Sequence, residues 1–161
     1  MADSTGKTTL IVFSGELDKQ IAAFVIANGA AAMGDDVTMF FTFWGLNVLR
    51  RDRSTPTSGK TFLQGMFARM MPRGPARLSM SHMNLLGIGP RLMTRVMRQQ
   101  NILTLEELIA TAREQGIKMI ACTMSMDVMG LRREEFIDGL EYAGVATYLG
   151  EANGANVNLF V

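Results

Sequence analysis

The chain has 161 residues, 48% of them hydrophobic and 19% charged, with a formal net charge of +1 and one cysteine. This length and composition predict one globular domain over residues 1–161, and they exclude a disordered chain, a disulfide scaffold and a nucleic-acid partner attracted by net charge. There is neither a leader-like N-terminus nor an apolar stretch of bilayer length, so the sequence predicts a cytoplasmic protein with no transmembrane segment.

The N-terminal third of the chain predicts a βαβ unit. A run of β-branched and aromatic residues over 7–13 is typical of a buried strand, and a second such run follows over 36–43. Between them, residues 16–33 carry apolar side chains at helical spacing and are followed by a glycine. Because a crossover helix joins the two strands, we expect the strands to be parallel.

A basic segment over residues 50–98 interrupts this alternation. It carries ten Lys or Arg and one acid, Asp52, so its formal charge is +9, whereas the rest of the chain has six bases and fourteen acids and a charge of −8. Two amphipathic helices are predicted within it, one over residues 61–71 and one with Pro90 in its first turn.

The basic segment has two interpretations. One is a solvated surface that the acidic remainder of the chain balances, either within the chain or across a subunit contact. The other is a Met-rich flap that covers the site, docks an acidic carrier protein, forms an oligomer interface or makes peripheral contact with anionic lipid.

Regular elements return in the C-terminal half. Thr104 and Glu107 form a capping box that predicts the start of a helix. The elements predicted after this helix are a strand over 117–123, a helix over 132–143 and two short strands over 145–149 and 157–161. Together with the first two strands, they predict an α/β domain with a mostly parallel five-stranded sheet and helices on both faces.

The single cysteine, Cys122, is at the carboxyl end of the third predicted strand, the edge where ligands of open α/β sheets gather. Residues 124–129 predict a short helical turn whose free N–H groups and dipole favour a thiolate. Thr123 and Ser125 are candidates to donate hydrogen bonds to the sulfur, and Asp127 is expected to point away or to cap the turn. The alternative is an inert buried cysteine, as lone cysteines often are.

The stretch from Ala121 to Gly130, A-C-T-M-S-M-D-V-M-G, resembles the cysteine motif of the DsrE/DsrF/DsrH-like family. The resemblance covers nearly the whole chain and is closest to a branch often labelled peroxiredoxin-like. It implies a three-layer α/β/α Rossmann-like fold and a homo-oligomer. It also implies a sulfur carrier that holds a persulfide on Cys122 and exchanges it with sulfur-donor and sulfur-acceptor proteins.

The first functional hypothesis is therefore an intracellular sulfur carrier or sulfurtransferase that relays sulfane sulfur through Cys122. This chemistry requires the sulfur to be reachable from solvent. Thr123 and Ser125 would steady the sulfur. Ser14 and Gly15 would line the same pocket if the first and third strands were neighbours.

Two further hypotheses stay open. One is a non-catalytic binding or assembly module in which Cys122 is inert and the basic segment is the working surface. The other is a thiol peroxidase, although true peroxiredoxins have a threonine where this chain has Met119. The sequence predicts no cofactor, because it lacks a complete P-loop and a dinucleotide fingerprint, and the absence of a CxxC pair excludes a thioredoxin-like dithiol mechanism. His82 lies between Met80 and Met83, a combination that could bind Cu(I), but methionines commonly fill apolar gaps and no metal site is predicted.

Overall fold

The computed structural model describes residues 6–52 and 59–161, and within these ranges a five-stranded, all-parallel sheet forms the centre of the protein. The strands are, in chain order, β1 (Lys7–Val12), β2 (Asp36–Phe41), β3 (Lys118–Cys122), β4 (Glu141–Ala143) and β5 (Val157–Phe160). The helices are α1 (Leu17–Ala32), α2 (Phe62–Met70), α3 (Ile88–Gln99), α4 (Leu105–Glu114), α5 (Thr123–Met129) and α6 (Val145–Ala152). The strands lie in the order β4-β3-β2-β1-β5, so the predicted parallel pairing of the first two strands is confirmed.

Side chains alternate between the two faces of the sheet, and the two faces are covered unequally. On one face, α1 and α4 pack against a set that includes Leu10, Met39 and Met119, and this is the larger core. On the other face, Phe40 and Ile120 belong to a small cluster that α6 covers. Helices on both faces of a parallel sheet make the three layers of a Rossmann-like fold, as the sequence predicts.

Both helices predicted in the basic segment are present. Thr61 and Gln64 form a capping box at the start of α2, and α3 has Pro90 in its first turn. Residues 53–58 of this segment lie outside the described residues. Across the ranges that the structure describes, none of the helices is long and apolar enough to cross a membrane.

A buried ion cluster ties the basic segment to the turn that follows α5. Glu135 accepts hydrogen bonds from Arg50 Nη2 at 2.9 Å and from the ammonium of Lys60. Burial raises the pKa of Glu135, but the hydrogen bonds from the two cations outweigh it and hold the pKa below its usual value. Arg50 also donates to the carbonyl of Ala68 in α2, at 3.1 Å. The cluster therefore fixes α2 against the body of the protein.

The predicted helix over 132–143 is wrong. A 3₁₀ turn covers Arg133–Glu135, and the chain then extends towards β4. Backbone pairing explains the difference, because the amide of Ile137 donates to the carbonyl of Leu49 at 3.0 Å instead of continuing a helix. Gly139 then takes a positive φ of 88°, which a helix does not accommodate.

The predicted strand over 145–149 is also wrong, because these residues begin α6. Val145, Tyr148, Leu149 and Ala152 recur at helical spacing, and that period was the stronger signal. The strand that completes the sheet in place of the predicted one is β4, which pairs with β3. The strands predicted over 7–13, 36–43, 117–123 and 157–161 are confirmed, each with slightly shorter bounds.

Candidate functional site

Cys122 is the last residue of β3, and it belongs to the small core cluster beneath α6. Phe40, Ile120 and Tyr148 share this cluster, and Ala143 of β4 pairs with Cys122 across the sheet. Cys122 is only 3% exposed. The sulfur-carrier hypothesis requires a sulfur that is reachable from solvent, so that expectation is wrong for this structure, in which Cys122 is buried.

The helix that follows the cysteine agrees with the prediction. α5 begins at Thr123, and Cys122 occupies its N-cap position with φ −69° and ψ 113°. The first amides of a helix have no partners within the helix, and the helix dipole gives that end a partial positive charge. This end of a helix attracts negative charge, and reactive cysteines are found in such settings.

The two predicted supporting residues have different environments. Thr123 is half-buried at the first position of α5, whereas Ser125 is fully buried. The hydroxyl oxygen of Ser125 lies 2.7 Å from Oγ1 of Thr42, so Ser125 joins α5 to the end of β2. Asp127 is exposed, as expected, and its backbone carbonyl accepts a hydrogen bond from the Gln64 side chain at 3.1 Å.

Ser14 and Gly15 lie in the turn after β1, and β2 separates β1 from β3. The assumption that the first and third strands are neighbours is therefore wrong. The amide of Ser14 donates to the carbonyl of Val161 at 3.2 Å, at the other side of β1. A Cβ on Gly15 would lie 2.9 Å from the carbonyl oxygen of Trp44, so a glycine allows this turn to pack against the segment after β2. The structure does not bring this pair to the cysteine.

Sequence reasoning missed the aromatic side chain of α6 that shares the small core cluster with Cys122. Tyr148 is the buried residue of α6; its ring centroid lies 5.2 Å from that of Phe40, and its hydroxyl lies 3.2 Å from Oγ1 of Thr9. The helical spacing of α6 is the signal that identifies Tyr148, because it places this side chain on the face turned towards the sheet. The ring of Tyr148 thus anchors α6 to the cluster that contains Cys122.

A carboxylate provides the second attachment of α6. Glu151 accepts hydrogen bonds from Lys7 of β1 at 2.5 Å and from Lys118 of β3 at 2.9 Å. These two hydrogen bonds lower the pKa of Glu151 to about 2, so the group is charged at neutral pH. The pairs connect α6 to two separate strands of the sheet.

A cavity of about 890 Å³ lies between α3 and the N-terminal ends of α1 and α4. Arg91, Arg95 and Arg98 line one side of it, and Cys122 is not among its lining residues. In the described part of the chain, no group of three or more His, Cys, Asp or Glu residues is placed to hold a metal ion. The cysteine site is therefore defined by β3, α5 and α6 rather than by an open cavity.

Comparison with known proteins gives two relatives and one family. The sequence profile described as the DsrE/DsrF/DrsH-like family matches residues 4–160. YrkE of Bacillus subtilis, described as an uncharacterized protein, is 50% identical over 161 residues, which is 100% of both chains. A protein of Allochromatium vinosum described as sulfur carrier protein DsrE2 is 33% identical over 159 residues, or 96% of this chain and 98% of that one.

Two solved structures share the fold. The ychN protein from E. coli superposes with a TM-score of 0.57 at 10% identity, covering 98% of this chain and all of that one. Protein MTH1491 from Methanobacterium thermoautotrophicum, described as of unknown function, gives a TM-score of 0.51 at 12% identity, covering 96% of this chain and 98% of that one. At these identities the likeness establishes the arrangement of the sheet and helices only.

Proposed function

The chain belongs to the DsrE/DsrF/DrsH-like family, and from this premise we propose that it relays sulfane sulfur as a persulfide on Cys122. The observation that carries the proposal is the 33% identity with a sulfur carrier protein over 96% of the chain. The structure contributes the position of the one cysteine, at the end of a central strand and the start of a helix. The comparison supports sulfur relay, and Cys122 is the residue able to perform it.

The proposed transfer has two balanced displacements. The Cys122 thiolate attacks the outer sulfur of a donor persulfide; a new S–S bond forms on Cys122, and the donor's S–S bond breaks to release the donor thiolate. An acceptor thiolate then attacks the outer sulfur held on Cys122, and the Cys122 thiolate leaves. Neither step needs an external oxidant or reductant. The chain has no second cysteine that could resolve the persulfide into an internal disulfide, which suits a carrier.

Transfer requires the cover over Cys122 to open. β4 is a three-residue strand at the edge of the sheet, and α6 is held to the sheet by Tyr148 and Glu151. Segments with few buried contacts open at a lower free-energy cost than the whole fold does. We infer that β4 and α6 move away from β3 when a partner protein engages the site.

Residues around the cysteine take different parts in this proposal. Thr123, half-buried beside Cys122, is the residue assigned to steady the transferred sulfur. Ser125 supports the site indirectly, by holding α5 against Thr42. Ser14 and Gly15 have no part in it, because β2 lies between their turn and the cysteine strand.

The remaining proposals concern the cellular compartment and the oligomeric state. A protein that depends on one free thiol suits a reducing cytoplasm, where the donor and acceptor proteins would also keep their thiols reduced. The edge strand β5 exposes Val157 and Phe160, and covering them would favour a homo-oligomer.

The test is intact-protein mass spectrometry after incubation with a sulfane-sulfur donor. We expect an adduct of about 32 Da, one sulfur atom, that is absent in Cys122→Ser and is removed by an acceptor thiol. Ser14→Ala is the matched control, since its hydroxyl lies outside the site, and it should form the adduct normally. The proposal fails if the native protein forms no adduct while its thiol is alkylated only after denaturation.

That negative result would favour a second function, a non-catalytic binding or assembly module. The observation in its support is the burial of Cys122, which is the ordinary state of an inert cysteine. In that case the exposed basic segment would be the functional surface.

A further inference from the structure

α2 is an amphipathic helix whose apolar face is turned to solvent. Ala68 is its buried residue, and the half-buried Gln64 on the same side contacts α5. The opposite side carries Phe62, which is 86% exposed, and Met70, which is 75% exposed. The other exposed apolar side chains of this helix are Leu63, Met66 and Phe67. A surface helix of a soluble protein normally turns its apolar face to the core. The outward orientation in α2 therefore indicates that something outside the chain binds to this face.

α3 repeats this arrangement. Its buried residues are Gly89, Pro90 and Met97, and Arg91, Arg95 and Arg98 line the cavity between this helix and the ends of α1 and α4. Leu92 and Val96 lie on an exposed apolar side of the helix. The short connection before α3 adds Met83, Leu85 and Leu86, which are also exposed. The basic segment therefore exposes many large apolar side chains on two helices, whereas a soluble surface usually carries such residues singly.

Most of the charged side chains beside this surface are cationic, although Glu106 lines the same cavity as Arg91, Arg95 and Arg98. Residues 53–105 contain no Asp or Glu, whereas residues 60–105 contain seven Lys or Arg. Arg91, Arg95 and Arg98 follow one side of α3 and form no salt bridge with any residue that the structure describes. The surface therefore suits a partner that offers an apolar region to the exposed side chains of α2 and α3 and negative charges to the neighbouring arginines.

We propose that the exposed apolar sides of α2 and α3 dock peripherally on an anionic lipid bilayer. The Phe, Leu and Met side chains of α2 and α3 enter the boundary between headgroups and acyl chains, and the arginines contact the phosphates. The helices have 9 and 12 residues, or about 14 and 18 Å of length, so they lie in the interface and are too short to cross a core of about 30 Å.

A second copy of the chain is a poorer occupant. In a two-fold interface the same surface meets itself, so the predominantly cationic segment of one copy would face that of the other. The apolar face of α2 also offers no polar side chains for the hydrogen bonds that usually ring a protein interface. An anionic bilayer provides negative charge for the cationic side chains and an apolar layer for the exposed Phe, Leu and Met side chains.

The experiment is co-sedimentation of the full chain with vesicles of phosphatidylglycerol and, separately, of phosphatidylcholine. We expect binding to phosphatidylglycerol that weakens as salt is raised, and binding at least about tenfold weaker to phosphatidylcholine. The double variant Phe67→Ser with Met70→Ser should lose about tenfold or more in affinity, because two side chains no longer enter the apolar layer. Met33→Ser, a methionine that is 87% exposed outside the basic segment, is the matched control and should bind as the parent does.

Three results would overturn the proposal. These are failure to sediment with phosphatidylglycerol, equal binding to both lipids, and a stable dimer in solution that the double variant dissociates. The last would assign the face to a second copy. Both changed residues are exposed, so unchanged circular dichroism and thermal midpoint should show that the variant is folded. Cys122→Ser should bind vesicles normally, which separates this inference from the sulfur-relay proposal.

Discussion

Replacing the ring that anchors α6 should increase the reactivity of Cys122. Tyr148 is 3% exposed, packs on Phe40 and has its hydroxyl near Thr9. Truncation of a buried aromatic side chain to alanine costs about 3 kcal/mol or more. Suppose that the thiol reacts only in an open state, in which α6 is detached from the sheet. The lost packing energy then destabilises only the closed state, in which α6 is attached, and the open state becomes about a hundredfold more populated.

The assay is the rate of Cys122 alkylation by a small reagent without denaturant. When opening and closing are fast, that rate follows the population of the open state, so Tyr148→Ala should react about a hundredfold faster than the parent. Tyr148→Phe keeps the ring and loses the hydroxyl, whose contact contributes about 1 kcal/mol, so it should react about fivefold faster. Leu149→Ala alters a neighbouring residue that is 57% exposed and should leave the rate unchanged.

Local opening must be separated from unfolding of the whole protein. The acceleration in Tyr148→Ala should occur while the circular dichroism spectrum is native, and its rate should depend only weakly on low concentrations of urea. An alkylation rate equal to that of the parent would refute the reasoning. So would an acceleration that rises with urea as steeply as global unfolding does.

Three further predictions concern stability. Thr104→Ala removes the cap of α4 and should lower the free energy of unfolding by about 1 kcal/mol in urea titrations; no change would show that the cap is dispensable. Glu135→Gln leaves its two cationic partners buried beside a neutral amide and should cost about 3 kcal/mol, whereas a loss below about 1 kcal/mol would contradict the role of the cluster. The pKa of Glu151 is about 2 in the fold against a usual 4.5, so its stabilisation is complete above pH 4.5 and is lost as the pH falls towards 2. Glu151→Gln should therefore reduce the acid dependence of stability over that window, and an unchanged acid dependence would count against these ion pairs.

Local signals in the sequence were sufficient for most of the elements. The β-branched runs, the helical spacing of α1 and the capping box at Thr104 each depend on residues within a few positions of one another, and each element formed near its predicted bounds. The helical turn after Cys122 was predicted on the same basis. These features could be predicted because short-range sterics and hydrogen bonds decide them.

The errors share a different cause. The segment after α5 is extended because its backbone pairs with residues near Leu49, about 85 positions earlier, and no local pattern encodes that partner. The order of the strands is equally non-local, and it placed Ser14 and Gly15 away from Cys122. The burial of Cys122 could not be predicted for the same reason. It results from β4 and α6, and the sequence patterns had predicted a helix and a strand for these two segments.

The unequal cover of the two sheet faces reconciles a buried thiol with sulfur relay. A persulfide on an exposed cysteine would lose its outer sulfur to any small thiol in a reducing compartment. A persulfide on Cys122 would be shielded by α6 if the proposed relay is right, and α6 contributes a single buried side chain, Tyr148, to the cover. The opposite face, packed by α1 and α4, could open only with the loss of the main core. In the proposed relay the cysteine lies under the more thinly covered face of the sheet, which would open at a lower cost than the face packed by α1 and α4, and specificity for a partner would come from the opening itself.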